Sequence, residues 1–120
     1  MVLTFESSSV DERLAVYGSL RPGGKNHHLL SGMEGTWVPA LVCGTLHQSG
    51  WGADDGYPGL RLSDSARPVP VLVFCSSELP SKWAQLDEFE GRDYRRRRAL
   101  ASAGANRFLV NIYELAAAPG

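Results

Sequence analysis

The sequence predicts an α+β domain, with a small, mostly antiparallel sheet able to close into a barrel and helices at its flank. Three observations carry this. Short runs rich in β-branched, aromatic and small apolar residues recur along the chain, separated by Gly, Pro, Asn, Asp and Ser turn signals. One segment, residues 80–90, has a clear helical pattern with a start and a stop. The 120 residues are 43% hydrophobic and 21% charged, which suits one hydrophobic core and leaves little room for a second.

The elements follow in order. Residues 1–12 have no clear periodicity and are expected to be a flexible lead-in. A single domain is expected over 13–115, with a short tail at 116–120. Leu14, Ala15, Val16 and Tyr17 form a short apolar strand that stops at Gly18-Ser19. A turn-rich stretch follows, and residues 27–33 allow a helical turn or two. Residues 35–47 read as one strand, or as two broken at Pro39. Residues 49–59 read as a loop, 60–62 as a brief strand and 69–75 as a longer one. Pro80 suits a first helical turn, and Gly91 suits the position just past the last. Residues 94–101 and 107–115 then pair as a hairpin.

The helix contains the strongest physical clue. With about 100° per residue and Leu86 as origin, Leu79 falls near roughly 20°, Trp83 near roughly 60° and Phe89 near roughly −60°. This is the apolar stripe that faces a core. Glu90 falls near roughly 40°, inside the stripe, while Asp87 sits near roughly 100° and Glu88 near roughly 200°. Burial of a carboxyl disfavours its charged form and raises its pKa, and the negative end of the helix dipole acts in the same direction. A carboxyl tuned toward neutrality suits general acid–base catalysis. The plain alternatives are that Glu90 merely ends the helix, or pairs with an arginine of the next strand.

Gly18-Ser19 directly after a strand allows a sharp turn whose N–H groups can hold an anion or a polarised carbonyl oxygen. An ordinary strand-to-loop turn explains the same residues. Residues 18–25 are not a phosphate-binding loop. The position that needs Gly is Ser19, the residue after Lys25 is Asn26, and Pro22 lacks an N–H. Ser19 also lacks the elbow motif of a serine nucleophile.

Other classes find less support. The net charge of −1 gives no global attraction to nucleic acid or acidic membranes. No apolar run of about 18 residues is present to span a bilayer. Glu6, Asp11 and Glu12 occupy a start that lacks a secretory pattern, so a cytoplasmic location is expected. Cys43 and Cys75 lie in apolar runs and read as buried free thiols. With His27, His28 and His47 they do not make a metal-ligand spacing, so no metal is expected. The run from Arg95 to Arg98 reads as a solvated or salt-bridged strand, with Arg96 and Arg98 on the face of Tyr94. Arg96 is placed to pair with Glu90 or with a substrate carboxylate. Tyr113 alternates with Ile112 and is a candidate for an inward position, with plain core packing as its default reading.

Taken together, YGSLRPG at 17–23, GWGADDGYPGL at 50–60 and LDEFEGRDYRR at 86–96 resemble the γ-glutamyl cyclotransferase superfamily, including its small bacterial and AIG2-like members. The similarity runs over roughly residues 14–115. It implies a small β-barrel with flanking helices and a site at one mouth. It implies that Glu90 is the catalytic acid–base, that Tyr17, Gly18, Ser19 and Leu20 hold the γ-glutamyl group, and that Tyr94 assists. Tyr57, Pro58, Gly59, Arg96 and Tyr113 are pocket-lining candidates. The implied reaction is cofactor-independent release of 5-oxoproline from a small-molecule γ-glutamyl amine or amino acid, by a monomer or homodimer. The chain lacks the long insertions of larger members, and Leu46-His47 replaces a more tyrosine-rich strand end, which leaves the amine partner open. A non-catalytic binding module on the same scaffold is the alternative. A hydrolase using Ser19 is a third reading.

Overall fold

The computed structural model describes residues 5–18, 20–24, 26–47 and 59–116. Six strands and two short α-helices are present among them: β1 (Arg13–Val16), α1 (His28–Ser31), β2 (Thr36–His47), β3 (Gly59–Leu62), β4 (Pro68–Cys75), α2 (Trp83–Glu90), β5 (Tyr94–Ala103) and β6 (Asn106–Leu115). The strand order is β3-β2-β4-β1-β6-β5, and β5 pairs back onto β2. Five strands therefore close a barrel, and β3 extends one flank of it. All ladders are antiparallel except β1 with β6. Closure rests on Leu41 opposite Ser102 and Val42 opposite Ala101.

β2 is one continuous strand, not two broken at Pro39. Pro39 lies opposite Leu72 of β4, and pairing with β5 begins only at Leu41. One flank of the strand is thus open where the residue without an N–H sits, which is where a sheet tolerates proline. Pro68 and Pro70 have the same licence in β4, because β1 pairs with β4 only from Leu72 onward.

Strand alternation divides the apolar residues into two layers. Ala15, Val42, Val71, Val73, Val110 and Ile112 pack inside the barrel. Leu14, Val16, Phe74 and Tyr113 face outward, where they meet Leu20, Leu30, Leu79, Trp83 and Leu86 of the helical layer. Tyr113 therefore points toward the helices, away from the barrel interior that Ile112 faces. Cys75 is buried and Cys43 half-buried, and both thiols are free.

The expected helix begins later than its proline. Leu79–Ser81 forms a 3₁₀ turn and the α-helix starts at Trp83. It stops at Gly91, whose φ of +70° an L side chain rarely adopts. Leu79, Trp83 and Leu86 are buried as the wheel requires, but Phe89 is 44% exposed. The inner stripe is thus narrower than the pattern suggests. Residues 5–12, read above as a lead-in, are held against the barrel. Trp83 Nε1 donates to the Asp11 carbonyl (2.9 Å), and Asn111 Nδ2 donates to that of Val10 (2.8 Å). No helix among the described residues is long and apolar enough to cross a membrane.

The two layers make a sharp contrast along α2. Leu86→Ala should lower stability by about 2–5 kcal/mol, through lost burial and a residual cavity. Phe89→Ala should stay within about 0.5 kcal/mol. Urea unfolding of the two variants measures both, and equal losses would contradict this assignment of faces.

Candidate functional site

The last turn of α2 lies against the starts of β5 and the ends of β1 and β6. Asp87, one turn before Glu90, is the most connected acid there. Its Oδ1 accepts the Tyr113 hydroxyl at 2.6 Å and Arg96 Nε at 2.9 Å, and its Oδ2 accepts Arg96 Nη2 at 3.3 Å. Arg96 also donates to Asn111 Oδ1 (3.1 Å), and its guanidinium lies 4.4 Å from the centre of the Trp83 ring. Burial alone would raise the Asp87 carboxyl, but the Arg96 and Tyr113 hydrogen bonds outweigh it and hold the group below its usual range.

Glu90 lives in the opposite environment. Arg96 is engaged by Asp87, and among the described residues no hydrogen bond or ion pair reaches the Glu90 carboxylate. Burial pushes its carboxyl up to about 7. Three tyrosines, Tyr17, Tyr94 and Tyr113, stand close enough to feel its charge, which adds to the effect of their own burial in raising their hydroxyls. The alternative in which Glu90 pairs with Arg96 is not formed; Arg96 pairs with Asp87 instead. The physical reason is position: Asp87 sits at the edge of the buried stripe, where it reaches an arginine on the neighbouring strand without being enclosed.

Tyr17 ties this region to the rest of the barrel. Its hydroxyl donates to the Tyr113 carbonyl at 2.6 Å and accepts the Leu60 N–H at 3.1 Å. A hydrogen-bonded path thus runs from α2 through Asp87 and Tyr113 to Tyr17 and β3. The turn after β1 is braced as well. The Gly18 carbonyl accepts the Arg21 N–H at 3.0 Å, His27 Nδ1 lies 3.1 Å from the Leu20 carbonyl, and the Leu20 side chain is buried in the helical layer. Gly59 opens β3 so close to Leu115 that a Cβ would lie 2.7 Å from its Cδ1. Ser19, Tyr57 and Pro58 fall outside the described residues.

Two of the remaining arginines of the run are paired. Arg97 meets Glu114 at 3.1 Å and Arg98 meets Asp11 at 3.2 Å. Asp87 and Trp83 are the site residues that sequence reasoning missed. The signal was present in the spacing of Asp87 and Glu90, three apart on one helix, with an arginine-rich strand following.

The family described as γ-glutamyl cyclotransferase, AIG2-like, matches residues 14–119, and the chain belongs to it. No curated protein matches the chain significantly by sequence. Among solved structures, YkqA from Bacillus subtilis is 26% identical with a TM-score of 0.66, over 87% of this chain. The chain spans only 35% of YkqA. An AIG2-like protein from Mus musculus is 18% identical with a TM-score of 0.69, over 90% of this chain and 80% of that one. A protein from Arabidopsis thaliana is 22% identical with a TM-score of 0.65, over 87% and 61% of the two chains. The last two show the shared fold.

The raised Glu90 carboxyl has a consequence for stability. Its folded pKa of about 7 lies above the ordinary 4.5, so between these values the folded state binds the proton more tightly than the unfolded chain does. Stability should therefore fall as pH rises from about 4.5 to about 7 on this group's account, and level off above. In Glu90→Gln that component should vanish. Urea unfolding at several pH values compares the two proteins, and identical pH dependence would refute the shift.

Proposed function

We propose that this member of the γ-glutamyl cyclotransferase, AIG2-like family releases 5-oxoproline from a γ-glutamyl amine or γ-glutamyl amino acid. The observation that carries the reading is a half-buried carboxyl at Glu90, raised to about 7, beside three tyrosines and with no cation bonded to it among the described residues. A group with that pKa can accept a proton and return it at neutral pH.

In the proposed reaction the substrate's α-amine nitrogen attacks its own γ-carbonyl carbon. A new C–N bond closes the five-membered ring, and the original γ-amide C–N bond breaks. Glu90 takes a proton from the attacking amine and delivers it to the leaving nitrogen, so the carboxylate is regenerated. No oxidant or second substrate is needed. Both reacting groups belong to one molecule, so the site's task is to fold the γ-glutamyl arm into attack geometry and keep it there. The turn from Tyr17 to Leu20 is the proposed cradle, with backbone N–H groups for the developing oxyanion. Tyr17 and Tyr113 serve as rigid walls: their hydroxyls are already bonded to Leu60 and Asp87, so they hold shape and do not trade protons. Tyr94 stands at the start of β5, beside Glu90, as a further wall.

Glu90→Gln should lower kcat by about 10²–10⁴-fold. In the parent protein kcat/KM should fall below about pH 7, as Glu90 gains its proton. Product analysis by mass spectrometry across a panel of γ-glutamyl amines and dipeptides tests the chemistry. Free glutamate in place of 5-oxoproline would indicate hydrolysis, and ligand binding without turnover would indicate a binding module. Either result would overturn the proposal.

A further inference from the structure

The barrel has a second open end. Strand alternation that sends Ala15, Val42 and Val110 into the interior also sends Arg13, Val38 and Phe108 inward, at the end of the barrel away from Tyr17. Arg13 and Tyr17 are four residues apart, so the two ends are separated by roughly 13 Å along β1. These three residues line a hollow of about 590 Å³, with Phe5, Glu6 and Arg107 among the other residues around it. Its volume lies within the range of about 300–1,000 Å³ usual for small-molecule sites.

The chemistry of the hollow is uneven. Phe5, Val38 and Phe108 give it apolar walls, and the Phe5 and Phe108 rings lie against each other. The Arg13 guanidinium is half-buried and lies 5.4 Å from the centre of the Phe108 ring. Among the described residues its hydrogen bonds go to uncharged oxygens: Ser8 Oγ at 2.9 Å, the Leu109 carbonyl at 2.9 Å, the Phe5 carbonyl at 2.6 Å and the Ser8 carbonyl. Among the described residues neither Arg13 nor Arg107 takes part in an ion pair. Among the described residues that line the hollow, Glu6, which is exposed, is the one carboxylate set against these two guanidiniums. A half-buried cation satisfied by neutral dipoles keeps its charge uncompensated, and a nearby anion gains from it. The carbonyl bonds also fix the guanidinium in advance, so a ligand does not have to order it.

We propose that this mouth of the barrel is a second binding site, for a small organic anion with an aromatic or branched apolar body. The apolar body rests against the Phe5–Phe108 pair and Val38. The carboxylate, sulfonate or phosphate group faces Arg13, and the exposed side chain of Arg107 closes over it from the β5–β6 hairpin. The site is independent of Glu90, because no residue is shared with the α2 end of the barrel.

The test uses the full chain and anilinonaphthalene sulfonate, an aromatic anion that fluoresces when bound. Saturable binding with one probe per chain is expected. Arg107→Glu should weaken it about tenfold or more, and Arg107→Lys should restore most of the affinity, while Glu90→Gln leaves it unchanged. Val38→Phe, which fills the hollow with an apolar group, should also abolish binding. Phenylnaphthylamine, the uncharged analogue, should bind at least about tenfold more weakly. Amide shifts in NMR should cluster at Val38 and Phe108. Thermal melting of each variant separates lost binding from lost folding. Binding that ignores the charge of the probe and of residue 107, shifts centred on Tyr17 and Tyr113, or no saturable binding would each overturn the proposal.

Discussion

The fold of the site depends on one carboxylate that is not Glu90. Asp87 takes the Tyr113 hydroxyl and the Arg96 guanidinium together, and so clamps the last turn of α2 to β5 and β6. Trp83 continues the clamp one turn earlier, with its ring under the same guanidinium and its N–H on the Asp11 carbonyl. The clamp engages Arg96 of β5. Glu90 is then left in a half-buried setting where burial governs its proton affinity.

The two acids pull stability in opposite directions. Asp87, lowered by its partners, contributes stability above its unfolded pKa that is lost as pH falls through the carboxylate range. Glu90, raised by burial, subtracts stability as pH climbs toward neutrality. Such a pair, three residues apart on one helix, separates a carboxylate kept charged by its partners from one that burial raises toward neutrality. The two-layer core makes this arrangement tolerable. Leu86 and Trp83 anchor the helix from the buried side, and the tyrosine struts join the helix to the barrel and to β3.

Much of this was legible in the residues. The apolar alternation of β1, β4 and β6 and the stop at Gly91 all correspond to elements that formed. The position of Glu90 on the helical wheel also corresponds to its half-buried place, because backbone periodicity alone sets the direction of a side chain on a helix. Where the reading departed from the structure, the cause was a tertiary neighbour. Pro39 did not break β2, because the flank it cannot bond has no partner strand. Phe89 did not join the core and stands 44% exposed. Residues 5–12 became ordered because Asn111, Trp83 and Arg13 supply donors to their carbonyls.

The sequence by itself determined the list of elements, the inward tilt of Glu90 and the family to which the chain belongs, because these rest on local period and on short motifs. The tertiary structure alone decided that Arg96 meets Asp87, that Tyr113 faces the helices and that Tyr17 braces β3. It also decided that Arg13 stands at a second mouth with no ion-pair partner among the described residues. Each of these depends on which strands lie side by side after the barrel closes, and pairing across about a hundred residues of chain is set by register and packing, not by local pattern.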